Sequence, residues 1–272
     1  MRTLLHASIL ACALLSGCAH RASGGAADPT EVLAAARAAR QPFALRGSFS
    51  VTLRRGDTSV STRGALVLHE PDQFRVEVMG PVGTPLVIVA SDGRALNVWS
   101  AQNMTFYRGP NAPAALRELT GGALALADVV KVLTGQLPLP AAEVRSQAVD
   151  EAGVAVTLAA PEGAEVGAHL DPKTALLRDL SVSRAGQSLL TLSYGRAVKV
   201  GRSQLPGAFE LDVPALDLGL SIRMESWDEL GQIPDVFALA PPPGAEQKDL
   251  VEALEEEAVK RGGEGAEPRP QP

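Results

Sequence analysis

Residues 45–54, LRGSFSVTLR, set the class of this fold. Leu45, Gly47, Phe49, Val51 and Leu53 alternate with Arg46, Ser48, Ser50, Thr52 and Arg54. Successive side chains of a β-strand point to opposite faces, so this alternation reads as a half-buried strand with one face on a core and one on water. The pattern continues outward. Gly56-Asp57 turns the chain, and Val60 to Leu68 alternates again. Pro71-Asp72 makes the next turn, and Phe74, Val76 and Val78 form the inward set of a third strand. After a loop at 80–85 comes Leu86-Val87-Ile88-Val89-Ala90, apolar on both faces. Asp92-Gly93 is a strong hairpin signal, and strands follow near 94–99 and 103–108.

Upstream, Asp28-Pro29-Thr30-Glu31 has the features of a helix start. Asp28 can cap, Pro29 suits the first helical position, and Glu31 sits three residues after the cap. This helix should run to about Arg40 and present Val32, Leu33 and Ala36 on one face. Downstream, residues 111–120 and 124–133 show apolar spacing of three and four, with Gly121-Gly122 and Gly135 where helix C-caps belong. Strands resume at 144–150, 153–160, 165–170, 175–183, 187–195, 197–203, 208–213 and 217–226, separated by turn signals such as Asp171-Pro172-Lys173. Hairpin-length connections throughout predict an antiparallel sheet. The expected fold is therefore mainly β (α+β), with an N-terminal helix and a mid-chain helical insert. Residues 246–261 carry Leu250, Val251, Leu254 and Ala258 at helical spacing in an acidic segment. The final GGEGAEPRPQP has a disordered composition.

At the N-terminus, Arg2 precedes an apolar run from Leu4 to Leu15, broken only by His6 and Ser8. That is a secretory signal, too short to span a bilayer, which takes about 20 residues. Leu15-Ser16-Gly17-Cys18 then resembles the lipobox of bacterial lipoproteins. The resemblance implies cleavage before Cys18, diacylation of its thiol and acylation of the new amine. Several acyl chains on one residue make a near-permanent anchor. Ala19 and His20 stand where an aspartate would retain a lipoprotein in the inner membrane. The expected location is thus the inner leaflet of the outer membrane, lipid-anchored and facing the periplasm. The expected organisation is a signal peptide over 1–17, the lipidated Cys18 with a flexible tether over 18–28, a β-domain over 29–243, and an acidic helix with a disordered tail over 244–272.

Composition narrows the chemistry. The chain of 272 residues has a net charge of −6 and two cysteines, Cys12 and Cys18. Cys12 leaves with the signal, so no disulfide or thiolate metal site is expected. The mild negative charge and lack of a basic stripe argue against nucleic acid as a partner. No Gly-x-Ser-x-Gly elbow, P-loop or dinucleotide fingerprint is present. His169 and Asp171 stand two apart without a third ligand, which reads as a turn-flanking surface histidine. Trp99 and Trp227 read as core anchors or rim residues. No catalytic residue, metal or cofactor is expected.

A curved antiparallel sheet preceded by one helix and interrupted by others resembles the fold of LolA and LolB, the periplasmic carrier and outer-membrane receptor of lipoproteins. Gly64-Ala65-Leu66, Pro71, Phe74-Arg75-Val76-Glu77-Val78 and Gly80-Pro81-Val82-Gly83-Thr84-Pro85-Leu86 are similar to the strand–strand–loop–strand section of LolB. Leu116-Arg117-Glu118-Leu119-Thr120-Gly121 through Asp128-Val129-Val130-Lys131-Val132-Leu133-Thr134-Gly135 is similar to its central helical pair. The likeness spans about residues 29–240 and is best over 43–140. It implies a half-barrel whose helices lid an apolar cavity, with acyl chains as cargo and a LolA-like carrier and lipoproteins as partners. A monomer is expected. Candidate cavity residues are Phe49, Val51, Leu66, Leu68, Phe74, Val76, Leu96 and Phe106, each of which also reads as a plain core residue. The loop Pro81-Val82-Gly83 matches a LolB loop whose exposed leucine is implied to push lipid into the membrane. Here the residue is the smaller Val82, which could equally fold back onto the core. The long acidic tail departs from the LolB pattern. Two other readings share the fold: a structural or docking envelope lipoprotein with a filled interior, and a carrier for another amphiphile such as phospholipid.

Overall fold

The computed structural model describes residues 28–39, 44–110, 116, 120, 122–139 and 141–256. The expected signal, Cys18, the tether, most of the helix expected over 111–120, and the C-terminal residues from 257 lie outside the described residues. Helix α1 (Pro29–Ala38) starts as its sequence dictates. The Asp28 side chain accepts the Thr30 N–H at 2.8 Å, Pro29 opens the first turn, and Val32, Leu33 and Ala36 are buried.

Six strands follow as a meander: β1 (Ala44–Arg55), β2 (Thr58–His69), β3 (Gln73–Met79), β4 (Pro85–Asp92), β5 (Ala95–Ser100) and β6 (Thr105–Pro110). Between β4 and β5, the Asp92 carboxylate accepts the N–H groups of Arg94 and Ala95, each at 2.8 Å, around Gly93 at φ +85°. Helix α2 (Leu126–Leu133) comes next. Five more strands form a second meander: β7 (Val144–Asp150), β8 (Gly153–Ala159), β9 (Ala164–Leu170), β10 (Leu177–Arg184) and β11 (Gln187–Tyr194). The expected strand 197–203 is instead a small hairpin, β12 (Ala197–Val200) and β13 (Ser203–Pro206), because Gly201 at φ +54° reverses the chain. Strands β14 (Ala208–Val213) and β15 (Leu218–Glu229) return to the main sheet.

With β16 (Glu246–Asp249) at one edge, the sheet order is β16-β6-β5-β4-β3-β2-β1-β15-β14-β11-β10-β9-β8-β7. Strand β1 therefore joins the two meanders, pairing β2 along one side and β15 along the other. The sheet is curved and not closed into a barrel. One pairing breaks the expected antiparallel rule. Strand β16 (Glu246–Asp249) lies parallel to β6, so the acidic segment expected to be helical from 246 begins as a strand. The chain turns helical only at 250, where the Asp249 carboxylate accepts the N–H groups of Val251 and Glu252.

Strand register assigns every apolar side chain to a face. Opposed pairs in an antiparallel ladder point the same way. The chains of pairs Val98–Val89–Val76–Leu66, Val51–Ile222–Phe209 and Leu180–Ala168–Val156 all lie on one face, called inner here. Helix α1 packs on the inner face over β7, β8 and β9. Helix α2 covers the other half, where Leu126 and Val130 join Leu45, Phe74 and Trp227. The Trp227 indole N–H donates to the Pro206 carbonyl at 2.9 Å, fixing the β12–β13 hairpin against the same cluster through Leu205.

The N-terminal meander is covered on its outer face as well. The segment 230–245 crosses it as a strap. The Arg75 guanidinium donates to the Val236 carbonyl at 3.0 Å, and Phe237 stacks on His69 with ring centroids 6.1 Å apart. Leu239 and Ala245 close over Ile88, Trp99 and Phe106.

Candidate functional site

The inner face of the sheet is an extended apolar surface, and most of the sequence-selected residues meet on it. Phe49, Val51, Leu66, Leu68, Phe74 and Leu96 belong to one buried cluster, and Val76 is half-buried against it. Phe106 does not join them. It pairs with Trp99 across β5 and β6, which places it on the outer face under the strap. A one-residue difference in strand position flips a side chain to the other face, and the strap supplies an outer core there that alternation alone does not announce. Trp99 and Trp227 are both buried, on opposite faces of the sheet.

The inner face is closely covered at its centre. Leu68 is 1% exposed and Leu66 3%, under the cover of Leu126 and Val130. Cover thins towards one end of the sheet. There Val76, Val78, Val89, Leu220 and Ile222 are only half-buried, and Leu53 and Val60 are exposed. The apolar face thus runs from under α2 out to the hairpin tips without a polar break on β1.

At that end, the β3–β4 loop carries Pro81, Val82 and Gly83. Two backbone bonds set its shape, Gly80 N–H to the Thr84 carbonyl at 2.8 Å and Gly83 N–H to the Gly80 carbonyl at 3.0 Å. Gly83 takes φ +79°. Val82 is 85% exposed, the highest value among the large apolar side chains described. It points to solvent and does not fold back onto the core.

Asp128 holds helix α2 in place. It is buried, and its two oxygens accept from residues on either side of α2 in the chain: the Ala125 N–H at 3.0 Å and the Leu139 N–H at 2.9 Å. At the other end of α2, the Gln136 N–H bonds the Lys131 carbonyl and the Gly135 N–H bonds the Val132 carbonyl, with Gly135 at φ +74°. That is a Schellman closure, and the glycine foreseen as a C-cap supplies its left-handed residue. The enclosed Tyr194 hydroxyl donates to the Val132 carbonyl at 2.8 Å, and burial pushes its pKa well above 10.0.

Polar chemistry sits elsewhere. A groove of about 460 Å³ on the outer face is lined by hydroxyls and carboxylates, among them Thr52, Asp179, Ser193, Glu210 and Ser221. His169 lies on the same face of β9, between a carboxylate of β10 and one of β7. Its Nδ1 lies 2.7 Å from Asp179 and its Nε2 3.1 Å from Asp150. Asp171 serves its own turn, accepting from the N–H groups of Lys173 and Thr174 and from Arg178. Burial raises the Asp171 pKa, but these donors outweigh it and hold the carboxyl at about 2. Among the described residues no group of His, Cys, Asp and Glu is arranged to hold a metal ion.

The hydrogen bond to Asp179 raises the His169 pKa above 6.5, partial burial opposes it, and Asp150 adds to the rise. A raised folded pKa stabilises the fold fully below the unfolded value of about 6.5, and the benefit fades as pH rises through the folded value. The pairs are part-exposed, so the effect should stay below about 1 kcal/mol. A urea midpoint followed from pH 6 to pH 8 should decline slightly, and His169→Gln should flatten that decline. An unchanged slope in the variant would assign the pH dependence elsewhere.

No family model and no curated protein matches the sequence. Solved structures do match the fold. A DUF1329 family protein from Desulfovibrio piger aligns with a TM-score of 0.58 at 8% identity, covering 77% of this chain and 95% of that one. A LolA superfamily protein from Nitrosomonas europaea gives 0.55 at 12% identity, covering 78% and 97%. A putative outer membrane lipoprotein-sorting protein domain from Vibrio parahaemolyticus gives 0.54 at 9% identity, covering 76% and 96%. The protein has the LolA/LolB-like fold: one large, curved β-sheet, open at its edges, with short helices on its apolar face.

Proposed function

We propose that this protein is an envelope lipoprotein, anchored through Cys18 to the inner leaflet of the outer membrane, that receives acyl chains on the inner face of its sheet and passes them to the bilayer without catalysis. Residues 1–17 act as the signal and 18–28 as the tether. The observation that carries this reading is the continuous apolar face covered by separate short elements instead of a second sheet. An element such as α2 can move off as a unit, whereas an interdigitated sheet cannot. Displacing it would open an apolar slot lined by Phe49, Val51, Leu66, Leu68, Phe74, Val76 and Leu96. Each buried methylene of an incoming chain contributes about 0.8 kcal/mol. The Pro81-Val82-Gly83 loop stands at the open end of the face, where it can enter lipid. Structural likeness to a LolA superfamily protein and to a lipoprotein-sorting domain supports lipoprotein acyl chains as cargo, received from a LolA-like carrier.

The test is uptake of a fluorescent fatty acid by the full chain, with native mass spectrometry of the protein purified from an envelope fraction. Saturable uptake is expected, and Leu66→Glu should reduce it at least tenfold, because the carboxylate would sit in the slot. A clean apo mass and no uptake by the parent chain would remove the carrier reading. The tight closure over Leu66 and Leu68 favours one specific alternative, a docking lipoprotein with a filled core. The same negative result would select it.

A further inference from the structure

Five of the eight most exposed large apolar side chains among the described residues lie at one end of the N-terminal meander. They are Leu53 at 40%, Val60 at 55%, Val82 at 85%, Leu86 at 40% and Met104 at 47%. The topology explains the coincidence. In an antiparallel meander alternate turns fall at the same end, so the β1–β2, β3–β4 and β5–β6 tips stand side by side. At about 4.8 Å between neighbouring strands, this row of tips spans roughly 25 Å. The tips of the C-terminal half share that end of the sheet but carry different residues. The β8–β9 turn holds Glu162, paired with Arg184 at 3.2 Å, and the β14–β15 turn holds Asp217.

We infer that the three N-terminal hairpin tips together form a membrane-contacting rim, with Val60 and Met104 entering the lipid interface alongside Val82. The inference rests on the reading of a membrane-tethered protein and extends it from one loop to a row. Two features select a bilayer over a protein partner. The apolar groups stand one or two to a tip on tips two strand spacings apart, whereas a protein interface needs a contiguous packed patch. Two guanidinium groups beside them can also meet anionic headgroups. Arg54 and Arg55 are exposed on the β1–β2 tip, where Asp57 and the neighbouring Asp217 are the carboxylates, and Glu246 beside the Met104 tip is paired with Lys248 at 3.3 Å. A basic side chain near an anionic surface contributes about fivefold in affinity. The β10–β11 tip at Gly186 lies further along the curved sheet and bears no exposed large apolar side chain, so it should stay clear of the bilayer.

The full lipidated chain would be reconstituted into vesicles of phosphatidylethanolamine and phosphatidylglycerol. Single cysteines at positions 60, 82, 104 and 186 would carry an environment-sensitive fluorophore, with the parent chain as baseline. Quenching by lipids spin-labelled on their acyl chains is expected at 60, 82 and 104 and absent at 186. Arg54→Glu with Arg55→Glu should weaken quenching at all three. Quenching at 82 alone overturns the rim but leaves the single-loop reading standing. Quenching at all four positions overturns the rim as well. Quenching nowhere, with fatty acid uptake intact, overturns both membrane contacts and spares the acyl-binding face.

Discussion

Asp128→Ala should cost this protein about 3 kcal/mol. Alanine removes both oxygens that fasten α2, and two part-buried backbone donors, at Ala125 and Leu139, lose their acceptors. A buried donor left without a partner costs about 1–3 kcal/mol. For a domain of this size, that corresponds to a fall in Tm of roughly 9 °C. Asp128→Asn keeps one acceptor and turns an amide N–H towards the other donor, so about half the loss is expected. The same substitution should loosen α2 before the sheet. Amide exchange at Val130, Lys131 and Val132 should rise in the variant while β8 and β9, buried under α1, stay protected. If acyl chains enter by displacing α2, Asp128→Ala should also speed their uptake. An unchanged Tm with unchanged exchange would show that Asp128 does not hold the helix.

The second large effect is expected at Gly64, a residue on the inner face with nothing to pack. Phe49 sits directly opposite it across β1 and β2. A Cβ added at Gly64 would lie 2.3 Å from Phe49 Cζ and 2.4 Å from the Glu77 carbonyl oxygen. The ring could swing, but the carbonyl belongs to the β2–β3 ladder and cannot yield without breaking pairing. Overpacking typically costs about 1–3 kcal/mol, and a backbone obstacle puts Gly64→Ala at the upper end. A urea titration should place its midpoint well below the parent's. Adding Phe49→Leu should relieve the ring clash but not the carbonyl clash, so the pair should lose less than the sum of the single losses. Additive losses would mean that the ring already sits elsewhere.

Much of the fold was legible in the sequence, for a definite physical reason. Residues 45–54 alternate because one side of β1 faces α2 and the other faces water, and a half-buried strand writes its geometry into every second residue. The capped start of α1 and the Gly135 terminus of α2 were legible too, because those positions restrict which residues fit. The strap 230–245 was not. It is proline-rich and irregular, so it has no period, yet it buries Phe237 and gives Phe106 a core on the unexpected face. Strand β16 was hidden for a related reason. Its four residues, Glu246-Gln247-Lys248-Asp249, are all exposed on their side chains and pair through backbone alone. The partners of His169 were not legible from its neighbours in sequence, because partners in a sheet come from adjoining strands and hairpins, here Asp179 on β10 and Asp150 on β7. The exposure of Val82 depends on two backbone hydrogen bonds in its loop, which composition does not encode.

The position of β1 also bears on how the chain reaches this structure. Its partners on β15 lie roughly 160–180 residues further along. Contacts that distant must wait for almost the whole polypeptide, and high contact order slows folding. A chain emerging N-terminus first could form the β1–β6 meander early, yet β1 would keep a twelve-residue open edge until β15 arrived. Such an edge is a template for pairing with another chain. The serines and threonine that alternate along β1 keep one side of that edge wettable in the interval. Assembly of this sheet is therefore most vulnerable just before its last long strand is delivered.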